Sequence, residues 1–247
     1  PESGYADPYL VTTGYAKRSR DLGAEIATGT RVKDIEIVGG RVVSVNTTAG
    51  RIETPLVVIA AGPWSNKLFD RIGVDMPLGT VRHQIIMIHR PRKMSLGHPS
   101  IGDIVNDLSS RPDAGDITLI GIGEEESVGP EKYNQKIDMS VVPAAMSGIT
   151  RRFPDMDGAE YRGGWAGLFT VTPDWHPVLD RIEGIDGLYC AVGFSGHGFK
   201  LSPMIGVVMA ELIIKGEARS VGISMLDLKR FEEHRLLTSR YSMAVLA

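Results

Sequence analysis

The stretch "GLYCAVGFSGHGFKLSPMIGVVMAELIIKG", residues 187–216, decides the fold of this chain. Its apolar run at 188–192 predicts a buried strand, the glycines that follow predict a loop, and a helix is expected from about Phe199 to Lys215. A strand, a glycine-rich loop and a helix start in this order are typical of the ligand-binding edge of an α/β sheet. The backbone N–H groups at such a helix start favour a negatively charged ligand.

A second segment of the same kind lies upstream at 56–73, where a continuous apolar run ends in Ala-Ala-Gly and leads into a helix predicted from about Ser65. Residues 79–177 instead have the pattern of antiparallel strands and loops, with one helix near 142–154. We therefore predict an α/β (α+β) fold. A discontinuous Rossmann-like domain, 1–78 and 178–247, is interrupted by a mainly antiparallel β domain, 79–177.

The remaining segments predict smaller elements. A helix capped by Asp7 is expected to end near Gly23, and residues 24–29 are a short strand candidate. Alternating apolar and polar residues around the Gly39-Gly40 pair predict a β-hairpin with a third strand. The charged segment 228–240 predicts a solvated helix face.

Composition excludes several function classes. The 247 residues carry a formal net charge of -3 with both signs interspersed, so no nucleic-acid or anionic-membrane partner is expected. The single cysteine, Cys190, excludes an intrachain disulfide, and the histidines lack metal-ligand spacing, so no metal site is predicted. The longest apolar runs are too short to span a bilayer, and a cytoplasmic location is the expectation.

The motif "GFSGHGFKLSP", residues 193–203, allows more than one interpretation. Ser195 between a strand and a helix is similar to a hydrolase nucleophile, although His197 replaces the usual glycine and the only histidine beyond the motif is His234. A phosphate loop fails because Lys200 follows Phe199 rather than glycine. A serine hydrolase and a purely structural glycine turn stay open as alternatives.

Four segments, in this order along the chain, carry a family resemblance. They are "GTRVKDIEIVGGRVVSV" at 29–45, "VVIAAGPWS" at 57–65, "AGLFTVTPDWHPVLD" at 166–180 and "GLYCAVGFSGHGFKLSPMIG" at 187–206. Together they resemble the FAD-dependent amine and amino-acid oxidases of the D-amino acid oxidase superfamily, which includes sarcosine oxidase and glycine oxidase. The sarcosine oxidase branch is the most similar.

The resemblance implies FAD as the cofactor and assigns a role to each matching position. The Val32 backbone would meet the adenine, and Lys200 would pair with the substrate carboxylate. The small-residue turn beside the dinucleotide would be formed by Ala60, Ala61, Gly62 and Trp64. The residues beside the isoalloxazine ring would be Gly193, Phe194, Ser195, Gly196, His197, Gly198, Phe199 and Lys200.

Departures from the family pattern refine this expectation. Phe169 stands where glycine and D-amino acid oxidases carry the carboxylate-binding arginine, which implies an aromatic pocket wall. Gly167 stands where the sarcosine oxidase branch carries a cysteine bonded to the flavin, so bound FAD would be non-covalent. Leu119 falls near the lysine credited with oxygen activation, which leaves oxidase and dehydrogenase both open. Arg111 is a further substrate candidate, with a structural turn as its alternative.

The family opens with a βαβ unit carrying Gly-x-Gly-x-x-Gly, and this chain contains no such motif. The resemblance therefore implies a C-terminal part with an incomplete FAD-binding domain, completed by an N-terminal fragment or a partner subunit. The expected activity is oxidation of the C–N bond of a small amine or amino acid, such as an N-methylated amino acid, by hydride transfer to flavin. The alternative is a non-catalytic fragment or subunit that cannot hold FAD alone.

Overall fold

The computed structural model describes residues 4–103, 105–122 and 126–238. The helices of these residues are α1 (Pro8–Asp21), α2 (Ser65–Phe69), α3 (Val142–Arg152), α4 (Gly198–Lys215) and α5 (Lys229–Glu232). The strands are β1 (Val32–Val38), β2 (Arg41–Thr47), β3 (Gly50–Glu53), β4 (Val57–Ile59), β5 (Gly79–His89), β6 (Ile101–Asp103), β7 (Leu108–Pro112), β8 (Ile117–Ile122), β9 (Glu126–Ser127), β10 (Glu160–Val171), β11 (Val178–Arg181) and β12 (Leu188–Val192).

The largest sheet is antiparallel throughout, in the order β10-β5-β8-β7-β6 with β9 paired to β5. Because side chains alternate between the faces of a strand, Ile86, Ile88 and Ile120 lie on one face and pack against Ala145 and Ile149 of α3. Positions 83, 85, 109, 111, 119 and 121 therefore lie on the opposite face. That face forms the floor of a pocket whose lining also includes Phe199 and Lys200 of α4.

The smaller mixed sheet has the order β11-β12-β4, and β12 runs parallel to β4. Every residue of β12 is buried. Leu188, Cys190 and Val192 belong to one core cluster, whereas Tyr189 and Ala191 belong to another that includes Val208 and Met209 of α4. Burial of both faces explains why β12 is apolar without alternation.

Most predicted elements are present. The fold class is confirmed, with helices and strands in the mixed arrangement expected, and α4 begins one residue earlier than predicted. The Asp7 carboxylate accepts a hydrogen bond from the Leu10 backbone N–H at 2.8 Å and caps α1 as expected. The Gly39-Gly40 turn joins β1 to β2, and β3 completes that sheet. The domain bounds stay a prediction.

The strand predicted at 24–29 is wrong. These residues form coil and a turn, and Ile26 is exposed. A strand requires a hydrogen-bonded neighbour, and none of the described strands pairs with this segment.

The solvated helix predicted at 228–240 is also wrong over 228–238, where only Lys229–Glu232 is α-helical and Arg230 is fully buried; residues 239 and 240 lie outside the described residues. Its guanidinium donates two hydrogen bonds, 2.8 and 3.0 Å long, to the equally buried Asp174 carboxylate. It also donates to the His176 carbonyl, and the Leu237 backbone N–H donates to Asp174. A buried ion pair holds this segment, and sequence pattern missed it because the partners lie 56 residues apart.

Within the described ranges, no helix has the length and apolar character needed to cross a membrane.

Candidate functional site

Two adjoining cavities lie at the carboxyl end of β12. The first, of about 700 Å³, is here called the glycine groove, and its lining includes Tyr15, Ala60, Gly62, Gly193, Phe199 and Pro203. The second, of about 550 Å³, is called the sheet pocket, and its lining includes His83, Ser109, Arg111, Gly121, Gly167 and Lys200. The residues that line both cavities are Leu168, Phe169, Gly196 and Phe199. The two cavities therefore meet between the end of β10 and the start of α4.

The turn after β12 is fixed by close contacts with β10 and the segment that follows it. Gly193 has a φ of 70°, and a Cβ on it would lie 2.4 Å from Thr172 Cγ2, so no other residue fits there without movement. The Ser195 backbone N–H donates to the Thr170 carbonyl at 2.9 Å. The Ser195 hydroxyl, in a residue only 1% exposed, donates to the Gly193 carbonyl at 3.2 Å. The turn is therefore held rigidly against the sheet.

The start of α4 presents its backbone N–H groups without a capping side chain, because the N-cap residue His197 makes no side-chain cap bond. Further along, Pro203 cannot donate to the Phe199 carbonyl, and the Ser202 hydroxyl donates to it instead at 2.9 Å. The helix dipole at this end favours an anion. Lys200 lies on the same turn, and desolvation lowers its pKa.

The floor of the sheet pocket comes from residues of five antiparallel strands, β5, β6, β7, β8 and β10. His83 on β5 stacks on Phe169 of β10, with ring centroids 4.6 Å apart and an angle of 20° between the planes. Burial lowers the pKa of His83, so the neutral imidazole is favoured. Its Nδ1 atom is buried without a hydrogen-bond partner. The pocket thus has an aromatic wall backed by a neutral histidine.

Arg111 lies on β7, at the side of the sheet pocket away from β10. Its guanidinium lies 3.4 Å from the Asp113 carboxylate, donates to the Pro112 carbonyl at 3.3 Å and lies over the Tyr5 ring. Arg111 is therefore in a strand that lines a pocket, and the turn given as its alternative begins only after Pro112.

The structure brings most of the predicted site residues together. The predicted residues that line a cavity are Ala60, Gly62, Arg111, Phe169, Gly193, Phe194, Ser195, Gly196, Gly198, Phe199 and Lys200. Val32, Ala61, Trp64 and His197 are described but line neither cavity. Ala61 packs against the core, and the Trp64 indole N–H donates to the Glu131 carboxylate at 3.0 Å.

Sequence reasoning missed part of the lining. Ser109 and Gly121 of the sheet pocket could have been found from strand alternation, because they share a face with Arg111 and His83. Tyr15 and Val11 of α1 carry no local signal, because only the folded chain brings that helix to the glycine groove.

A glycine turn between a buried strand and a helix start, joined to a pocket on an antiparallel sheet, is typical of the ligand-binding edge of α/β proteins. The chain belongs to the family described as "DAO: FAD dependent oxidoreductase", whose profile matches residues 1–212.

Curated relatives and solved structures agree with this membership. The sarcosine oxidase subunit beta of Rhodobacter capsulatus is 27% identical over 244 residues, which are 99% of this chain and 57% of that protein. The peroxisomal sarcosine oxidase of Homo sapiens is 30% identical over 208 residues, which cover 79% of this chain and 53% of that protein. L-proline dehydrogenase from P. horikoshii superposes with a TM-score of 0.86 at 29% identity, covering 94% of this chain and 62% of that chain. The chain therefore spans a little over half the length of these relatives.

The glycine groove fits the flat ring of a flavin. Its walls are mainly glycine and apolar residues, and the nearest atom to a Cβ on Gly62 would be Thr170 Oγ1 at 3.9 Å, so the backbone is open to close approach. The uncapped N–H groups of α4 suit the negative charge of a reduced flavin. In the described part of the chain, no group of three or more His, Cys, Asp or Glu residues could hold a metal ion.

Proposed function

We propose that this chain forms the ring-binding and substrate-binding part of an FAD-dependent oxidoreductase. Its reaction is oxidation of the C–N bond of a small amine or amino acid carrying a carboxylate, such as an N-methylated amino acid. The observation that supports this most is the junction of the two cavities at Phe169, Gly196 and Phe199. A ring in the glycine groove would there face a substrate in the sheet pocket.

Each residue at the junction has a distinct task in this proposal. The ammonium group of Lys200 binds the substrate carboxylate and fixes which end of the molecule faces the groove. Phe169 forms an apolar wall that excludes water from the reacting bond. The α4 N–H groups stabilise negative charge in the groove. FAD, when bound, supplies the hydride acceptor.

The cofactor is held without a covalent bond to the sheet pocket in this proposal. Position 167 is glycine, and nothing lies within 4 Å of the place where its Cβ would be. The residue offers no nucleophile to the ring, and its open space leaves room for the substrate.

A further segment or partner subunit carrying Gly-x-Gly-x-x-Gly completes the FAD site in this proposal. None of the described residues of α1 is buried, and the edge strand β4 leaves Val58 exposed. Helix α4 exposes Met204, Val207 and Ile214, the last of these at 81%. Exposed apolar residues of this kind are typical of an interface, and residues of α1 and α4 line the glycine groove.

The two alternatives have specific tests. A non-catalytic subunit unable to hold FAD would lose flavin during purification, even with its partner. A hydrolase using Ser195 is not favoured, because the Ser195 hydroxyl is buried and donates to a backbone carbonyl rather than to a histidine. Labelling by a fluorophosphonate probe that is lost in Ser195→Ala would support the hydrolase.

The experiment for the main proposal compares two lysines of α4 in the whole protein. We expect Lys200→Ala to raise KM for sarcosine by about 10- to 100-fold, the effect of losing a charge-assisted hydrogen bond, and to leave KM for an uncharged secondary amine nearly unchanged. Lys215→Ala is the control, because Lys215 pairs with Glu211 at the other end of the helix. An equal effect of Lys200→Ala on both substrates would contradict the proposal.

A further inference from the structure

The charged residues that line the sheet pocket, among those described, are all basic. The charged side chains of its described lining are Arg111 and Lys200, and no aspartate or glutamate lines it among the residues that the structure describes. His83 is neutral because burial lowers its pKa, so it adds no compensating or competing charge at neutral pH. The lining also includes the hydroxyl side chains of Ser100 and Ser109. Such a lining attracts anions and offers hydrogen-bond donors to them.

The two cations lie at opposite sides of the floor. Lys200 extends from α4, which begins beside the Phe169 end of β10, whereas Arg111 lies on β7. Strands β5 and β8 lie between β10 and β7, and Arg111 is level through Leu119 and Met87 with Gly163, which is six residues along β10 from Phe169. At about 4.8 Å per strand and about 3.4 Å per residue, the backbones of Phe169 and Arg111 are on the order of 20 Å apart. The two basic side chains are therefore placed to bind separate anionic groups of one ligand.

The floor between the cations carries polar groups. A Cβ on Gly121 would lie 2.6 Å from Ser109 Oγ and 2.9 Å from His83 Nε2, so both polar atoms border the same space. Ser109 and Arg111 lie two residues apart on one strand and share its pocket face. The His83 imidazole and the Ser109 hydroxyl therefore lie between the aromatic wall at Phe169 and the Arg111 guanidinium.

The carboxylate already beside Arg111 does not cancel its charge. Asp113 lies 3.4 Å away, and its side chain is 39% exposed, so water screens this pair. Exposed pairs of this kind are weak, because water screens the two charges. Arg111 thus keeps donor capacity for a ligand anion.

We propose that the sheet pocket binds an amino acid with two carboxylates, one held by Lys200 and the second by Arg111 with Ser109. This inference rests on the proposed function, because it takes the Lys200 end as the site of the first carboxylate. It narrows the substrate class from N-alkyl amino acids in general to those with an acidic side chain or an N-carboxyalkyl group.

The test is ligand binding by calorimetry to the flavin-loaded whole protein, with N-methylglutamate and N-methylglutamine as probes. The two compounds have nearly the same shape and differ in one negative charge. We expect N-methylglutamate to bind about tenfold tighter or more, and the ratio of the two Kd values to fall to near one in Arg111→Gln. Arg111→Lys keeps the charge and should keep part of the ratio.

Arg162→Gln is the matched control, because Arg162 also lies on a strand of this sheet and pairs with a carboxylate two residues away, but does not line the pocket. It should leave the ratio unchanged. A ratio near one in the unmodified protein, or a ratio that survives Arg111→Gln, would overturn the dicarboxylate inference.

Binding of sarcosine, which has one carboxylate, distinguishes a failure of the dicarboxylate inference from a failure of the proposed function. If sarcosine binds through Lys200 while neither larger compound binds, the proposed function stands and the dicarboxylate inference is wrong. If Lys200→Ala does not weaken sarcosine or either probe, the proposed function itself is contradicted, and the inference falls with it.

Discussion

Two glycines of the site show how a single residue shapes it. Gly193 is required by the backbone, because its φ is 70° and a Cβ would meet Thr172 and Leu78. Gly167 instead leaves open space in the sheet pocket, because nothing lies within 4 Å of the place where its Cβ would be. The same residue type therefore fixes a turn at one position and leaves space at another.

We expect Gly193→Ala to lower the free energy of unfolding by about 1–3 kcal/mol, the usual cost of a residue in a strained backbone region, with the side-chain clash adding to it. Urea unfolding followed by circular dichroism measures this. Gly167→Ala is the control and should change the stability by less than about 0.5 kcal/mol. Equal stabilities for both variants would show that the turn is not fixed as described.

At the scale of elements, the segment containing α5 is tied to the segment between β10 and β11 by the buried pair of Arg230 and Asp174. Neither side chain is exposed. Removing one partner of such a pair leaves a buried charge without compensation, which costs about 3–5 kcal/mol. The pair thus positions the end of the described chain against the strands beside the glycine turn.

We therefore expect Arg230→Met to lower the free energy of unfolding by about 3–5 kcal/mol in chemical denaturation. Arg235→Ala is the control, because Arg235 pairs with Asp227 and Glu233 while remaining exposed, and it should cost less than about 1 kcal/mol. If both variants lowered the free energy of unfolding by a similar small amount, the buried pair would not stabilise the fold as proposed.

The same pair predicts a dependence of stability on pH. Burial raises the pKa of Asp174, but hydrogen bonds from Arg230 and from backbone N–H groups outweigh it and set the pKa to about 2, below the ordinary 3.8. Because the folded-state value is the lower one, the stabilisation is complete above pH 3.8 and is lost as the pH falls toward 2. Thermal unfolding between pH 5 and pH 2 should show this loss, and Asp174→Asn should make it smaller. If the stability of Asp174→Asn fell with pH as steeply as that of the unmodified protein, the Asp174 carboxylate would not be the cause of the loss.

Local patterns predicted elements better than they predicted contacts. The run 188–192 and the glycines after it placed β12, the turn and α4, because apolar runs and glycines act on their own neighbourhood. Residues 24–29 have the composition of a strand but lack a pairing neighbour, and pattern cannot supply one. The buried position of Arg230 and the stack of His83 on Phe169 depend on residues far away in sequence.

At the scale of the whole molecule, helices α1 and α4 line the glycine groove and also expose apolar residues to solvent. Tyr9 and Leu10 on α1 are largely exposed, as are the apolar residues of α4 named above. A chain with this much open apolar surface is prone to associate with itself. The proposed completing segment would cover these faces and close the groove.

We therefore expect the 247-residue chain alone to bind a hydrophobic fluorescent dye strongly and to elute as aggregates. Coexpression with the completing segment or subunit should reduce both signals, which size-exclusion chromatography and dye fluorescence measure. A monomeric chain with no dye binding would contradict an open interface around the groove.

The most direct test of the central claim is anaerobic reduction of flavin by substrate in the whole protein. We predict that FAD co-purifies without a covalent bond and that N-methyl amino acids bleach its visible absorption. Lys200→Ala should require about 10- to 100-fold more of a carboxylate substrate for the same effect. A protein that retains no FAD, or a bound flavin that no amine or amino acid reduces, would contradict the account.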